Sequence, residues 1–281
     1  MTSDRSPDRY AVIGNPIVQS KSPLIHGLFA QATGQRMVYD KVEGRIGEFA
    51  AQLDALRAEG LRGMNVTAPF KLDAFAYATD LSESARLAGA VNALKFEGER
   101  VLAENFDGVG LVNDIEKNLA CPMKGKRVLL LGAGGAVRGA LLPFARCEPA
   151  LLVVANRTLD KAQELVSLLQ AQSPVATHAS SFEALTDEFD IVVNGTSAGL
   201  FGAAPAIAAS VFAPKALAYE MVYGKGATPF LQQAKQAGAQ QLADGVGMLV
   251  EQAALAFAWW RGVRPDTRAA IERLSVPIVF A

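Results

Sequence analysis

The run Val128-Leu129-Leu130-Leu131-Gly132-Ala133-Gly134-Gly135-Ala136-Val137-Arg138-Gly139 constrains this chain more than any other stretch. A continuous apolar segment breaks into a glycine-rich turn, and apolar residues then resume at helical spacing. A strand, a tight turn and a helix in that order open a dinucleotide-binding unit. Gly132 allows the turn, and Gly134 and Gly135 lack the Cβ that would keep a pyrophosphate from the helix N-terminus. A glycine-rich turn also occurs where a helix merely packs on a strand, so the next strand matters. Leu151-Leu152-Val153-Val154-Ala155 ends in Asn156-Arg157-Thr158, about where an acidic residue would hold the ribose 2′-hydroxyl of NAD. Here the position offers an amide, a guanidinium and a hydroxyl, with Lys161 one helical turn on. Two cations and two neutral donors suit a 2′-phosphate. The predicted cofactor is NADP, held by Gly132, Ala133, Gly134, Gly135, Ala136, Asn156, Arg157, Thr158 and Lys161.

At 281 residues the chain is long enough for two domains. Hydrophobic residues make up 51 % and charged residues 20 %, as in an ordinary soluble globular protein. A formal net charge of −1 gives no field for nucleic acid or an anionic membrane, so neither is an expected partner. No apolar run reaches the roughly 18–20 residues of a membrane span. Met1 to Arg9 is polar and lacks the apolar core of a signal peptide. Cys121 and Cys147 are too isolated for a disulfide framework or a zinc site, and His26 and His178 show no metal-ligand spacing. These features predict a cytoplasmic, metal-free protein that binds small molecules, as a monomer or homodimer.

The first hundred residues alternate between strand and helix patterns. Strands are predicted over Tyr10–Gly14, Met37–Val42 and Gly63–Thr67, and helices over Pro23–Thr33, Ile46–Glu59, Lys71–Asp80 and Ser82–Ala88. Val91–Phe96 and Arg100–Ala103 read as a hairpin turning at Glu97-Gly98, and a helix runs from Asp107 to about Leu119. From Lys126 strand–helix alternation continues through Ile191–Asn194 and Ala216–Tyr219. Two helices, Met248–Arg261 and Pro265–Leu274, close the chain with at most a short strand at Val276–Phe280. The predicted fold is α/β and two-lobed: a substrate-binding and catalytic domain at 1–112, a Rossmann-like NADP-binding domain at 113–244, and C-terminal helices at 245–281 packing back on the first. Pro143 falls inside a helix, where it costs stability and bends the axis.

Several first-lobe motifs are small and polar where a core wants bulk. Ser20-Lys21-Ser22-Pro23 precedes a helix; Ser22 suits its N-cap, and Ser20 and Ser22 also suit an anionic ligand there. Asn65-Val66-Thr67-Ala68-Pro69-Phe70-Lys71 ends a buried strand in an amide, a hydroxyl and an ammonium. A lysine opening a helix runs against the macrodipole. Asp107, before Gly108, suits either a helix cap or a functional carboxylate.

These motifs, together with Ala90-Val91-Asn92, Asn105 with Asp107-Gly108, Asn194 with Thr196-Ser197, Met221 with Tyr223, and Asp244-Gly245 with Gly247-Met248-Leu249-Val250 and Gln252, occur in the order seen in shikimate dehydrogenases. The chain resembles that family from about Tyr10 to Arg264. The resemblance implies reversible reduction of 3-dehydroshikimate to shikimate with NADPH, a step toward the aromatic amino acids. It implies Lys71 and Asp107 as the catalytic pair, with Ser20, Ser22, Thr67 and Tyr223 holding the substrate carboxylate. Asn92, Asp107 and Gln252 would bind ring hydroxyls. By the same resemblance Thr196 would join the cofactor site, and Met221 and Gly245 would lie against the nicotinamide. The chemistry agrees: hydride addition to a ketone leaves an oxyanion that needs a proton and a nearby positive charge.

The sequence departs from the family at Phe106 and Ala93, where threonine is usual, and at Ala68, Gly195 and Glu220. Phe106 and Ala93 flank residues implied to touch substrate. Either they alter substrate choice, toward quinate or an amino-substituted shikimate, or Phe106 points into the lobe behind the cleft. A non-catalytic ligand sensor is a third reading, and the retention of both Lys71 and Asp107 speaks against it.

Overall fold

A computed structural model describes residues 6–280. The polar N-terminal stretch therefore lies partly outside the described residues. The chain divides into two compact units. The first holds the residues through Phe106 together with 252–270, and the second holds 107–251 with the C-terminal segment from Ile271.

In the first unit, β1 (Asp8–Gly14), α1 (Ser22–Thr33), β2 (Met37–Glu43), α2 (Phe49–Ala58) and β3 (Leu61–Val66) alternate. There follow α3 (Lys71–Tyr77), β4 (Asp80–Leu81), α4 (Glu83–Ala88), β5 (Ala93–Glu97) and β6 (Arg100–Glu104). The six strands form one sheet in the order β2-β1-β3-β5-β6-β4. β1 runs parallel to β2 and β3, and β5 pairs antiparallel with β3 and β6. Side-chain alternation along the strands builds two cores. Ala11, Ile13, Met64, Leu94 and Phe96 meet Phe49, Leu53 and Phe70 on one face. Tyr10 and Ala93 face Ala256 and Trp260 on the other.

The second unit contains α5 (Asp107–Asn113), which passes into one π-helical turn over Asp114–Asn118. Next come β7 (Arg127–Leu131), α6 (Gly135–Ala145), β8 (Leu151–Ala155), α7 (Leu159–Gln170), β9 (Thr177–Ser180) and β10 (Phe189–Asn194). β11 (Phe212–Glu220), α8 (Pro229–Gln236) and β12 (Gln241–Asp244) complete a six-stranded sheet in the order β12-β11-β10-β7-β8-β9. Its pairings are all parallel. Strand order reverses between β7 and β10, and ligands of doubly wound sheets bind at the carboxyl ends of such strands. Leu129, Leu131, Val153, Val192 and Phe230 lie in its core, and Ile278 and Phe280 pack against it without forming a strand.

The helix α9 (Val246–Arg261) contributes to both units, and α10 (Arg268–Leu274) follows. In the first unit, Trp260 stacks on Tyr10 at 4.8 Å and donates its indole N–H to the Leu94 carbonyl at 3.0 Å. Gly63 makes room: a Cβ there would lie 2.6 Å from the indole nitrogen. His26 is wholly buried beside this cluster, stacked on Tyr39 at 4.1 Å. Burial lowers its pKa to about 3, so the imidazole is neutral.

That neutral imidazole makes the fold acid-sensitive. Below about pH 6.5 the unfolded chain takes up a proton that folded His26 refuses. Stability is then lost at about 1.4 kcal/mol per pH unit as pH falls from 6.5 toward 3. Urea midpoints measured between pH 7 and 5 will show this slope, and a His26→Gln variant will show a shallower one.

Candidate active site and cofactor pocket

In the first unit the polar residues are joined through Asn65. This buried amide, next to last in β3, accepts from the Tyr39 hydroxyl at 2.7 Å and lies 3.1 Å from His26 Nε2, both through Oδ1. With the imidazole neutral, that contact requires the tautomer with the proton on Nε2. The Asn65 NH2 donates to the Asn92 carbonyl at 3.2 Å. Tyr39 also hydrogen-bonds Ser22, and burial raises its phenol well above the ordinary range. Ser20 Oγ donates to Ser22 Oγ at 3.3 Å.

Ser22 does not cap α1. The helix begins at Ser22 itself, Lys21 holds the cap position, and no side chain satisfies the helix end. The Ser22 hydroxyl is committed to Ser20 and Tyr39 instead, which answers the expectation of an N-cap with a different role.

Asn92 is held from three sides. Its Oδ1 accepts the Phe106 backbone N–H at 2.9 Å, its Nδ2 donates to Gln252 Oε1 at 3.3 Å, and its backbone carbonyl takes Asn65. The Thr67 N–H donates to the Ile13 carbonyl at 2.9 Å, and Gly14 lacks the Cβ that would displace the Thr67 methyl. Lys71 is the first residue of α3, and its carbonyl accepts the N–H of Val91 at 3.0 Å. That bond ties the lysine to the segment carrying Asn92. Phe70 before it is buried against Phe49, fixing where the helix begins.

Phe106 and Ala93 belong to the aromatic cluster. Ala93 is fully buried with Tyr10 and Trp260, and Phe106 meets Trp259 edge-on at 5.8 Å. The two departures from the family pattern therefore share one packing environment, and Phe106 touches Asn92 through its backbone.

In the second unit, Gly132 has a φ of +106°, and its N–H donates to the Ala155 carbonyl at 2.7 Å. A Cβ on Gly132 would press on Gly195 and Thr196, whereas the Cβ positions of Gly134 and Gly135 face open space, as an approaching phosphate requires. Gly134 is the N-cap of α6, and Ala136 lies exposed in its first turn. Ala133, Gly134, Asn156, Arg157, Thr158 and Lys161 surround one cavity of about 200 Å³. No acidic side chain lines it. Asn156 donates to the Thr158 carbonyl at 2.8 Å, which shapes this loop. A larger cavity of about 640 Å³ extends from Gly132 and Arg157 past Thr196 to Phe182 and Phe201. The size, the open glycine turn and the basic rim fit a dinucleotide carrying a 2′-phosphate.

Thr196 is fixed by Asn194, which accepts its hydroxyl at 2.8 Å and donates to buried Glu220 at 2.9 Å. Burial raises the Glu220 carboxyl above its ordinary value. Gly195 admits Val137 and the Met221 sulfur, and Gly245 lies so near the Met221 backbone that a Cβ would overlap it. Tyr223 and Asp107 are carried by this unit, and burial raises the Tyr223 phenol. Among the described residues no cluster of ligating side chains suits a metal, and no helix is long and apolar enough to cross a membrane.

Three family models match the chain. They are the shikimate dehydrogenase substrate binding domain over residues 12–94, shikimate / quinate 5-dehydrogenase over 114–204, and the shikimate 5′-dehydrogenase C-terminal domain over 245–274. The chain belongs to the shikimate dehydrogenase family. A relative from Methylobacillus flagellatus named shikimate dehydrogenase (NADP(+)) is 51 % identical, over 92 % of this chain and 96 % of its own. The crystal structure of an Ael1 enzyme from Pseudomonas putida is 59 % identical, with a TM-score of 0.93, over 97 % of this chain and all of that one. Thermus thermophilus shikimate 5-dehydrogenase, in complex with NADP(H) and shikimate, is 30 % identical with a TM-score of 0.83, over 94 % and 97 % of the two chains.

In this shikimate dehydrogenase family member, Tyr39 and His26, the partners of Asn65, belong to none of the motifs that carry the family resemblance. The signal available was a tyrosine on a strand otherwise alternating with charged residues, and a histidine four residues after Ser22. For the cofactor pocket, Arg157→Ala will weaken NADPH binding by about 1.5–3 kcal/mol, roughly ten- to a hundredfold, and leave NADH binding nearly unchanged. Fluorescence titration with both nucleotides checks this, and equal losses would contradict a 2′-phosphate contact.

Proposed function

We propose that the protein is an NADP-dependent shikimate dehydrogenase that reversibly reduces 3-dehydroshikimate to shikimate in the cytoplasm. The observation that carries the reading is the basic pocket beside the glycine turn, with Arg157 and Lys161 where an NAD enzyme has an acid. Its likeness to enzymes named for this reaction supports the substrate.

Bound NADPH supplies the hydride to the ketone carbon. The remaining work belongs to the protein. Ser20, Ser22, Thr67 and Tyr223 hold the carboxylate with neutral donors, the two serine hydroxyls turning from Ser22 and Tyr39 toward the incoming carboxylate, while Asn65 holds the Asn92 backbone. Asn92, Gln252 and Asp107 bind the ring hydroxyls and fix which carbonyl face receives hydride. Lys71 and Asp107 act as a coupled acid–base pair, giving a proton to the carbonyl oxygen in reduction and taking it from the hydroxyl in oxidation. The ammonium stabilises negative charge as it develops on that oxygen. Met221 and Gly245, which lie against one another, would hold the nicotinamide.

Action on quinate or an amino-substituted shikimate rests on Phe106 and Ala93. Their side chains pack with Trp259 and Trp260, so the departures are explained by packing without a changed substrate. Initial rates of shikimate and quinate oxidation with NADP will favour shikimate. Lys71→Ala will lower kcat by roughly 10²–10⁴-fold and change NADPH affinity little. Intact turnover in that variant would remove the mechanism, whereas no turnover by the unmodified protein with NADPH still bound would leave a ligand sensor as the better reading.

A further inference from the structure

Pro143 lies inside α6, the helix whose N-terminus carries the glycine turn. Lacking an N–H, it cannot donate to the carbonyl four residues earlier, which is that of Gly139. That carbonyl faces α5 of the same unit. A Cβ on Gly108 would overlap the Gly139 oxygen, with the Gly139 carbonyl carbon and Ala140 Cα crowded behind it. Gly108 is buried, and it follows Asp107, the first residue of α5. The far end of α5 is anchored separately. Asp114 accepts from the Tyr219 hydroxyl at 2.7 Å and from Asn118 at 2.9 Å, and its carboxylate lies over the backbone at Gly247.

We propose that Pro143 and Gly139 are positioning residues: the carbonyl that Pro143 releases from the α6 ladder seats against Gly108 and sets the location of Asp107 relative to the cofactor turn. The same helix thus presents the phosphate-binding turn at Gly134 and, about 7.5 Å further along its axis, the contact that places Asp107. An alanine at 143 supplies the missing N–H and draws the Gly139 carbonyl back into the helix. An alanine at 108 would overlap the Gly139 oxygen and push α5 away from α6. Both changes move the start of α5 while leaving every group in the 200 Å³ pocket in place. This positioning role gives a function to a helix-interior proline that stability alone disfavours, and it rests on the assignment of Asp107 to the catalytic pair.

The test compares Pro143→Ala, Gly108→Ala, their double variant and Asp107→Asn. Each is measured for Tm, NADPH Kd by fluorescence, kcat, KM for shikimate and the pH profile of kcat. Removing an interior proline raises Tm or leaves it unchanged. The inference expects Pro143→Ala to lose roughly ten- to a hundredfold in kcat at unchanged NADPH Kd and undiminished Tm, with a displaced pH profile. The double variant should fall no further than the worse single one, because both disturb one contact. Wild-type kcat and pH profile in Pro143→Ala, with Asp107→Asn inactive, would overturn the positioning role and leave the catalytic pair standing. So would a fall in kcat accompanied by lower Tm and weaker NADPH binding, which is the mark of general damage. Full turnover in Asp107→Asn would refute the catalytic assignment and this inference with it.

Discussion

The buried side-chain carbonyl of Asn65 receives Tyr39 and His26. In an apolar interior, a carbonyl left without a donor costs about 1–3 kcal/mol, so the arrangement has a strong preference for one amide orientation. That orientation sends the NH2 toward the Asn92 backbone. Tyr39, with its proton given to Asn65, is left as an acceptor for Ser22, and Ser22 for Ser20. One buried amide therefore determines which way a series of hydroxyls points. A neutral His26 is part of the same logic: an imidazolium in this aromatic enclosure would pay a large desolvation cost, and burial excludes it at ordinary pH.

The second unit is organised by backbone more than by side chains. Parallel strands need crossover helices, and the reversal of strand order between β7 and β10 opens a crevice at their carboxyl ends. Gly132 and Gly195 follow those two strands, and each is small for a steric reason that differs from the other. Gly132 adopts a positive φ and sits against Gly195, while Gly195 yields space to Val137 and Met221. Glu220, one of the departures from the family pattern, is accommodated in a buried polar group with Asn194 and Thr228.

The β7–α6 turn, the basic residues after β8 and the alternation of strand and helix were legible because each is local and strongly patterned. The short strands β4, β9 and β12 escaped notice, being two to four residues long with little apolar content. Lys71 at a helix start was visible as a misplaced charge, and the structure places it there. The π-helical turn after Asn113 was not visible; Asp114, which opens it, bonds Tyr219, a partner 105 residues away. The fit of Ser22 to the N-cap of α1 failed for a similar reason: its hydroxyl is engaged by Tyr39, which no spacing near Pro23 reveals. Local rules identify groups that belong together in sequence, whereas polar partners across a sheet are chosen by the fold.

The indole of Trp260 and the carbonyl of Leu94 that receives it are 166 residues apart. Nearly all the intervening chain builds the other unit. During synthesis at roughly 5–20 residues per second, the sheet carrying Leu94 waits on the order of ten to thirty seconds for its last aromatic neighbour. Until then Tyr10 lacks its stacking partner and Gly63 exposes a strip of bare backbone, so the segment made first is the one completed last. Such a chain relies on the middle unit folding on its own and on the nascent first sheet remaining soluble in the meantime. A stop codon anywhere before α9 would release that sheet permanently open, a substrate for proteases and not for catalysis.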